Sequence, residues 1–245
     1  MSDPFASSPD KFQIGKPPAE AAHEVQEISP MRRAIAQRTH YSVTTAPHFY
    51  AAVEIDMSAV LAARAEMKER DPEQAPSVND FLLKATADAV REHPAVNVSY
   101  QDDGLHVYSE VNLGMIVGVD DVLLIPVIRN ANQKSLEEIA AESRAFAEKA
   151  RSKRLRAKEQ EGGTFTVSNL GPFGVDWFTA VLNPPQACLL TAGVAKPRAV
   201  VVDGEIVARA IMTCVLSIDH RAVDGVHGAE FLQGLRAKLE GWGQA

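Results

Sequence analysis

The chain has only two cysteines, Cys188 and Cys214, in 245 residues. Two thiols do not make a disulfide framework. Neither stands in a Cys-x-x-Cys or Cys/His pattern with zinc spacing, so no metal site is expected. Both lie in apolar, strand-like runs, where a buried free thiol is the ordinary outcome. Long apolar runs are also missing. None approaches the roughly 20 residues of a bilayer-spanning helix, and Met1-Ser2-Asp3-Pro4 is not the start of a charged-then-apolar leader. Basic residues are in the minority, 25 Lys and Arg against 32 Asp and Glu, for a formal net charge of -7. That balance does not suit a protein that grips a phosphate backbone. The expectation is a soluble protein of a reducing compartment, with no nucleic-acid and no membrane partner.

What is present is an ordinary globular composition, 46% apolar and 23% charged. The length fits one large domain or two small ones and can bury a substantial core. Residues 1–27 are rich in Pro, Ala, Ser and charge without periodicity, and read as a flexible arm or linker. A core domain over 28–245 follows. Ser29-Pro30 opens a helix that Pro47 ends. Met31, Ala34 and Ile35 make its modest apolar face, with Arg32, Arg33 and Arg38 turned elsewhere. A strand is expected over 48–57, a helix capped by Ser58, and a helix from Ser77 with Asp80 in a weak capping box. Short strands follow near 96–100, 105–108 and 111–119, then a buried strand over 123–128. Ser135 with Glu138 is a clear capping box for a helix to about Lys153. Strands at 164–168, 187–192 and 209–218 and a hairpin turn at Asp203-Gly204 precede a last helix over 224–241. Helices and strands mix without strict alternation, so the fold class is α+β, a two-layer arrangement of sheet and helices.

Two segments carry chemistry. In the first, the apolar run Ile211–Leu216 leads into Ser217-Ile218-Asp219-His220-Arg221-Ala222-Val223-Asp224-Gly225. A buried strand ending in Asp-His-Arg sets an imidazole at the rim of the core, and histidine exchanges protons near neutral pH. In the second, Thr164–Ser168 ends in a hydroxyl followed by the glycine-containing loop Asn169–Gly174. A hydroxyl fixed there can face the negative charge that acyl transfer builds on a carbonyl oxygen, a contribution of about 3 kcal/mol. Read singly, His220 is a strand-end histidine and Ser168 a turn residue.

Together the two segments resemble the catalytic core domain of the dihydrolipoamide acyltransferases of 2-oxo acid dehydrogenase complexes, in the chloramphenicol acetyltransferase-like superfamily. The resemblance runs from Ile28 to Gly241. It includes Met31–Ala36, Pro47-His48-Phe49, Ile125–Leu136 and Asn183-Pro184-Pro185-Gln186, and looks most like the acetyl-transferring members. It implies a trimer-forming fold, with the active site between subunits and further assembly into a cubic or dodecahedral core. His220 is then general base on a thiol of coenzyme A or dihydrolipoamide. Ser168 is oxyanion donor, and Asp224 supports the local structure through an ion pair. Coenzyme A enters as substrate, near the first helix, where Arg33 and Arg38 are candidates for its phosphates. The basic run from Lys149 to Lys158 competes for that role, although a solvated helix end explains it. The lipoyl group has to come from another domain or chain, because Asp10-Lys11-Phe12 is no lipoylation site. A thiamine-dependent dehydrogenase and dihydrolipoamide dehydrogenase are the implied partners, in the bacterial cytoplasm or the mitochondrial matrix.

Two departures keep alternatives open. No lipoyl or subunit-binding domain precedes the core in this sequence, which leaves a core cut from a longer protein, a stand-alone coenzyme A-dependent acyltransferase on a small acceptor, or a catalytically silent structural core. Val119-Asp120-Asp121-Val122 stands where many relatives have a turn containing Pro and Gly. His48 and His227 are read as structural.

Overall fold

Serines start three of the helices as the sequence predicts. The computed structural model describes residues 22–119 and 122–243. Ser29 accepts from the Arg32 amide at 3.2 Å and opens α1 (Pro30–Thr45). Ser77 with Asp80 opens α3 (Val78–Glu92), and Ser135 with Glu138 opens α4 (Leu136–Arg151), each through a reciprocal capping box. Two otherwise orphaned amides are satisfied at each of these ends. Ser58 behaves differently. It is the first residue of α2 (Ser58–Arg70), behind an N-cap Met57 that has no side-chain bond, and it turns back to Asp56. The last helix is α5 (Gly225–Glu240). Residues 22–29 carry no helix or strand, and the rest of the expected arm lies outside the described residues.

The strands are β1 (His48–Asp56), β2 (Val98–Gln101), β3 (Gly104–Val107), β4 (Leu113–Met115), β5 (Val117–Val119), β6 (Val122–Leu124), β7 (Val127–Ile128), β8 (Phe165–Asn169), β9 (Cys188–Ala192), β10 (Lys196–Val202) and β11 (Glu205–Asp219). The main sheet runs β1-β11-β9-β8-β4-β7, with β10 beside the outer half of β11. The β4–β8 and β8–β9 pairs are parallel and the remaining pairs antiparallel. The β2–β3 and β5–β6 hairpins stand apart.

Two sequence expectations fail here. The run 111–119 is not one strand but β4 and β5, in different sheets, separated at Ile116. The run 123–128 is not one buried strand either. Pro126, which has no amide to give a ladder, separates β6 from β7, and Leu123 is exposed.

The period of two along each strand sorts the main sheet into two faces. Met212, Cys214, Leu216 and Ile218 of β11 join Phe165, Val167 and Leu190 in the main core, against Phe81, Ile139, Phe146, Phe231 and Leu235 of the helices. Phe165 and Phe231 meet at 5.4 Å across that seam. The alternate residues, Ser168, Leu189, Thr191, Ser217 and Asp219, point to the other face. That face is covered by α1 and the segment 170–186. A substituent on Gly193 would sit 1.8 Å from the Asp176 carbonyl oxygen, so the loop after β8 packs directly on glycine backbone. Gly193→Ala is therefore expected to cost about 2–3 kcal/mol through forced backbone movement, read as a drop of several degrees in Tm.

Candidate active site

Between α1 and this second face of the sheet lies a cavity of about 1160 Å³. Ser168 lies at its floor, at the end of β8, and is 6% exposed. The residues around it hold the strand still. Thr166 donates to Gln186 Oε1 at 2.6 Å, and Gln186 Nε2 donates to the Gly163 carbonyl at 2.9 Å. The Asn-Pro-Pro-Gln segment is thus stitched to the start and middle of the strand that presents Ser168. Beyond Ser168, Asn169 accepts from the Gly171 amide at 2.8 Å and donates to Asn79 at 3.0 Å.

Asp219, Arg221 and Tyr100 form a second wall. Asp219 is nearly buried and takes two hydrogen bonds from the Arg221 guanidinium, at 3.0 and 2.7 Å. The guanidinium lies 4.5 Å from the centre of the Tyr100 ring, a cation–π contact. The Asp219 hydrogen bond raises the Arg221 pKa above its ordinary value. Arg221 lies in the turn just past the end of β11, so its closeness to Asp219 is a legible local signal, although no strand period sets its direction. Tyr100 gave none, because it arrives from the β2–β3 hairpin.

His220 leaves the sheet on the opposite face. Its amide donates to the Pro47 carbonyl at 3.0 Å, and its ring meets Phe49 edge-on at 5.2 Å. Phe49 pairs with Ile218 and lies over Gly225 of α5, on the helical side. His220 is exposed and does not line the cavity. One chain therefore does not bring Ser168 and His220 together: they sit on opposite faces of its sheet.

Asp224 is exposed at the N-cap of α5, and its side chain makes no capping bond. The ion pair expected of it belongs, within one chain, to Asp219 and Arg221. Asp219→Ala is accordingly expected to cost about 2 kcal/mol, by stranding a charged hydrogen-bonding partner. Asp224→Ala should cost under about 0.5 kcal/mol. Thermal unfolding of the two variants tests this order.

The two arginine candidates separate. Arg38 lines the cavity with Met31, Ala34 and Ile35, one helical face, and donates to the Pro184 carbonyl at 2.8 Å. The face expected to be only apolar thus carries a cation. Arg33 is exposed and does not line the cavity. In the basic run, Lys149 donates to Glu159 at 2.7 Å, Arg156 also reaches Glu159, and Arg154 lies near Glu148. The Lys149 hydrogen bond, then those of Arg156, hold the Glu159 carboxyl down at about 2. None of the basic residues from Lys149 to Lys158 lines the cavity. Burial pushes both thiols up, Cys214 to about 12, so neither is a ready nucleophile. Among the described residues there is no cluster of three metal-ligating side chains, and no helix is long and apolar enough to cross a membrane.

A mixed sheet with most of its helices on one face, a cavity under α1 on the other, and His220 just past a strand end, four residues before Asp224-Gly225, is the arrangement of an acyltransferase catalytic core. The chain belongs to the family described as 2-oxoacid dehydrogenases acyltransferase (catalytic domain), which matches residues 20–245. The acetyltransferase component of the Rickettsia conorii pyruvate dehydrogenase complex is 38% identical over 213 residues, covering 86% of this chain and 52% of that protein. The chain thus spans about half the length of this relative. A crystallographic study of a serine, a histidine and an asparagine in the catalytic mechanism of Azotobacter vinelandii dihydrolipoamide acetyltransferase gives a structure 34% identical, with TM-score 0.86, covering 92% of this chain and 96% of that one. The cubic core of a pyruvate dehydrogenase multienzyme complex is 33% identical, with the same TM-score and coverage. Chloramphenicol acetyltransferase, at 16% identity and TM-score 0.53, covering 88% of this chain and 99% of that one, shares the fold. The interval between the serine and the histidine in the Azotobacter enzyme equals that between Ser168 and His220. Asp224 falls at the interval of its asparagine.

Proposed function

We propose that this chain is an acyltransferase core that moves an acetyl group between dihydrolipoamide and coenzyme A within a pyruvate dehydrogenase complex. The observation that carries the reading is the pairing of Ser168 and His220 at the intervals of the Azotobacter enzyme, with the two residues on opposite faces of one sheet. Such a site is complete only when a neighbouring copy lays its His220 over the Ser168 cavity. His220 leaves beside β1, which is an edge strand, and Phe49, Tyr50 and Val226 are exposed around it. A cyclic trimer with a heterologous interface provides that arrangement three times over, and trimers can build a larger core of the kind seen in the cubic relative.

In the complete site His220 takes the thiol proton from one substrate. The thiolate attacks the acyl carbon of the other. The carbonyl electrons move to oxygen, where the Ser168 hydroxyl donates a hydrogen bond. Collapse breaks the carbon–sulfur bond, and His220 returns the proton to the departing thiolate. The acyl group passes directly between sulfurs, so no protein nucleophile is used, in keeping with two unreactive thiols. Arg38 and the Arg221–Tyr100 wall are the groups offered to the polar parts of coenzyme A, and Asp219 fixes Arg221. Asp224 supports the His220 turn in the assembled trimer. The lipoyl group arrives on a separate or preceding lipoyl domain, with the thiamine-dependent dehydrogenase and dihydrolipoamide dehydrogenase as the other enzymes of the complex.

The test is acetyl transfer from acetyl-CoA to dihydrolipoamide, followed by thioester formation. Free dihydrolipoamide should be a weak substrate, and a lipoyl domain a better one at low concentration. Acetylation of a small amine or alcohol, with neither thiol accepted, would replace this reading with that of a stand-alone acyltransferase.

A further inference from the structure

His48 was read from sequence as structural, and its two ring nitrogens show a more specific arrangement. Nδ1 lies 2.8 Å from the Ala46 carbonyl oxygen, and Nε2 lies 3.1 Å from the Leu182 amide nitrogen. A carbonyl only accepts and an amide only donates. Nδ1 therefore carries the proton and Nε2 is bare, which fixes one neutral tautomer. The Leu182 carbonyl is held as well, by the Ser42 hydroxyl at 2.8 Å, and Arg38 grips Pro184. Both backbone groups of Leu182 are thus fastened to the junction of α1 and β1. The segment from Ala180 to Gln186 is a wall of the cavity that holds Ser168. The residues flanking His48 serve the other catalytic candidate: the Pro47 carbonyl accepts the His220 amide, and the Phe49 ring touches the His220 ring.

We propose that His48 is a positioning residue. As the Nδ1–H tautomer it fastens the Ala180–Gln186 wall to the strand end from which His220 is hung, and protonation of its ring releases that wall. A protonated ring presents an N–H to the Leu182 N–H, so the bond is lost. The titratable and charged groups around it are Tyr50 on β1, with ring centres 6.1 Å apart, Asp219 directly across on β11, and Arg38 and Tyr41 of α1 on the same cavity. The Asp219 charge is already met by Arg221 and is not free to hold an imidazolium. The effect on turnover rests on the acyl-transfer reading above, whereas the fastening itself does not.

The experiment is amide hydrogen exchange at single-residue resolution on the intact assembled protein, comparing wild type with His48→Ala and His48→Gln. Glutamine places a carbonyl oxygen where Nε2 stood, an acceptor that does not titrate. In His48→Ala the protection factor of Leu182 should fall about tenfold or more, and in His48→Gln it should return toward the wild-type value. Exchange is compared at two pH values, one at which the His48 ring is neutral and one at which its own NMR resonances show it protonated. Protonation should remove Leu182 protection in the wild type but not in His48→Gln. Val194, whose amide donates to the Val175 carbonyl at 2.8 Å and lies outside this wall, is the internal control and should hold its protection throughout. Steady-state transfer should show His48→Ala losing kcat/KM and His48→Gln regaining most of it. Leu182 protection that is the same in all three proteins at both pH values overturns the proposal. If His48→Ala does not fold, the pH contrast between wild type and His48→Gln decides alone. A wild type that shows the Leu182 behaviour but transfers no acetyl group would sink the acyl-transfer reading and leave the fastening in place.

Discussion

His220→Ala should lower acetyl transfer at least about 100-fold, the least that loss of a general base costs, and leave the melting temperature nearly where it was. The two halves of this expectation come from different observations. The rate falls because a thiol is a weak nucleophile at neutral pH and, among the described residues, neither the two cysteines nor Asp219 is free to take its proton. Cys188 and Cys214 are buried with raised pKa values, and Asp219, the residue before His220, is committed to Arg221 on the other face of the sheet. The fold survives because the anchor of this residue is its backbone. The amide bond to Pro47 remains in the alanine variant, and the ring is exposed with only the edge contact to Phe49 given up. Exposed substitutions of this kind move stability by about 0.5 kcal/mol or less. Measuring kcat with both thiol substrates, beside a thermal melt and a mass measurement of the assembly, separates the outcomes. An unchanged turnover number removes His220 from the mechanism. A lost trimer would make it an interface residue.

Much of this was legible in the chain, for identifiable reasons. The helix starts at Ser29, Ser77 and Ser135 depend on side chains within three residues of the cap, so local sequence suffices. The long strand β11 announces itself by a run of β-branched and apolar residues. Ser168 and His220 were named from the segments around them. Their separation onto neighbouring chains came only from the family resemblance, although its cause within one chain is simple. Strand β11 ends at Asp219 on the cavity face and His220, in the turn beyond it, swings to the Phe49 side, but which face holds the cavity depends on what covers it. That is set by α1 and the segment 170–186, which are distant in sequence from β11. The runs 111–119 and 123–128 failed for a different reason. Short apolar stretches beside Gly and Pro carry no period, and the chain changes sheet at Ile116 and Pro126. Tyr100 against Arg221, and His48 against Leu182, are meetings of residues more than a hundred positions apart, for which no local pattern exists. Arg38 was chosen for its charge, and the structure adds a reason that charge alone lacks: it shares the i, i+3, i+4 face of Met31, Ala34 and Ile35.

The opposed faces also predict what happens when two defective chains are combined. Ser168→Ala should cost roughly 100- to 1,000-fold in kcat with little change in KM, since an oxyanion donor acts mainly in the transition state. A sample of either variant alone is then nearly inactive, because every site lacks one of its two partners. In a cyclic trimer each interface takes His220 from one chain and Ser168 from the next. If His220→Ala and Ser168→Ala chains are mixed in equal amounts and assembled together, an intact site forms wherever a Ser168→Ala chain supplies the histidine to a His220→Ala neighbour. Random order gives that arrangement at roughly one quarter of interfaces. Activity should therefore rise from near zero to roughly one quarter of wild type, and vary with the mixing ratio as the product of the two fractions. Mass measurement of the mixture confirms that hybrids have formed. Hybrid trimers without recovered activity would mean that His220 and Ser168 do not meet across an interface, and with that the split site would have to be given up.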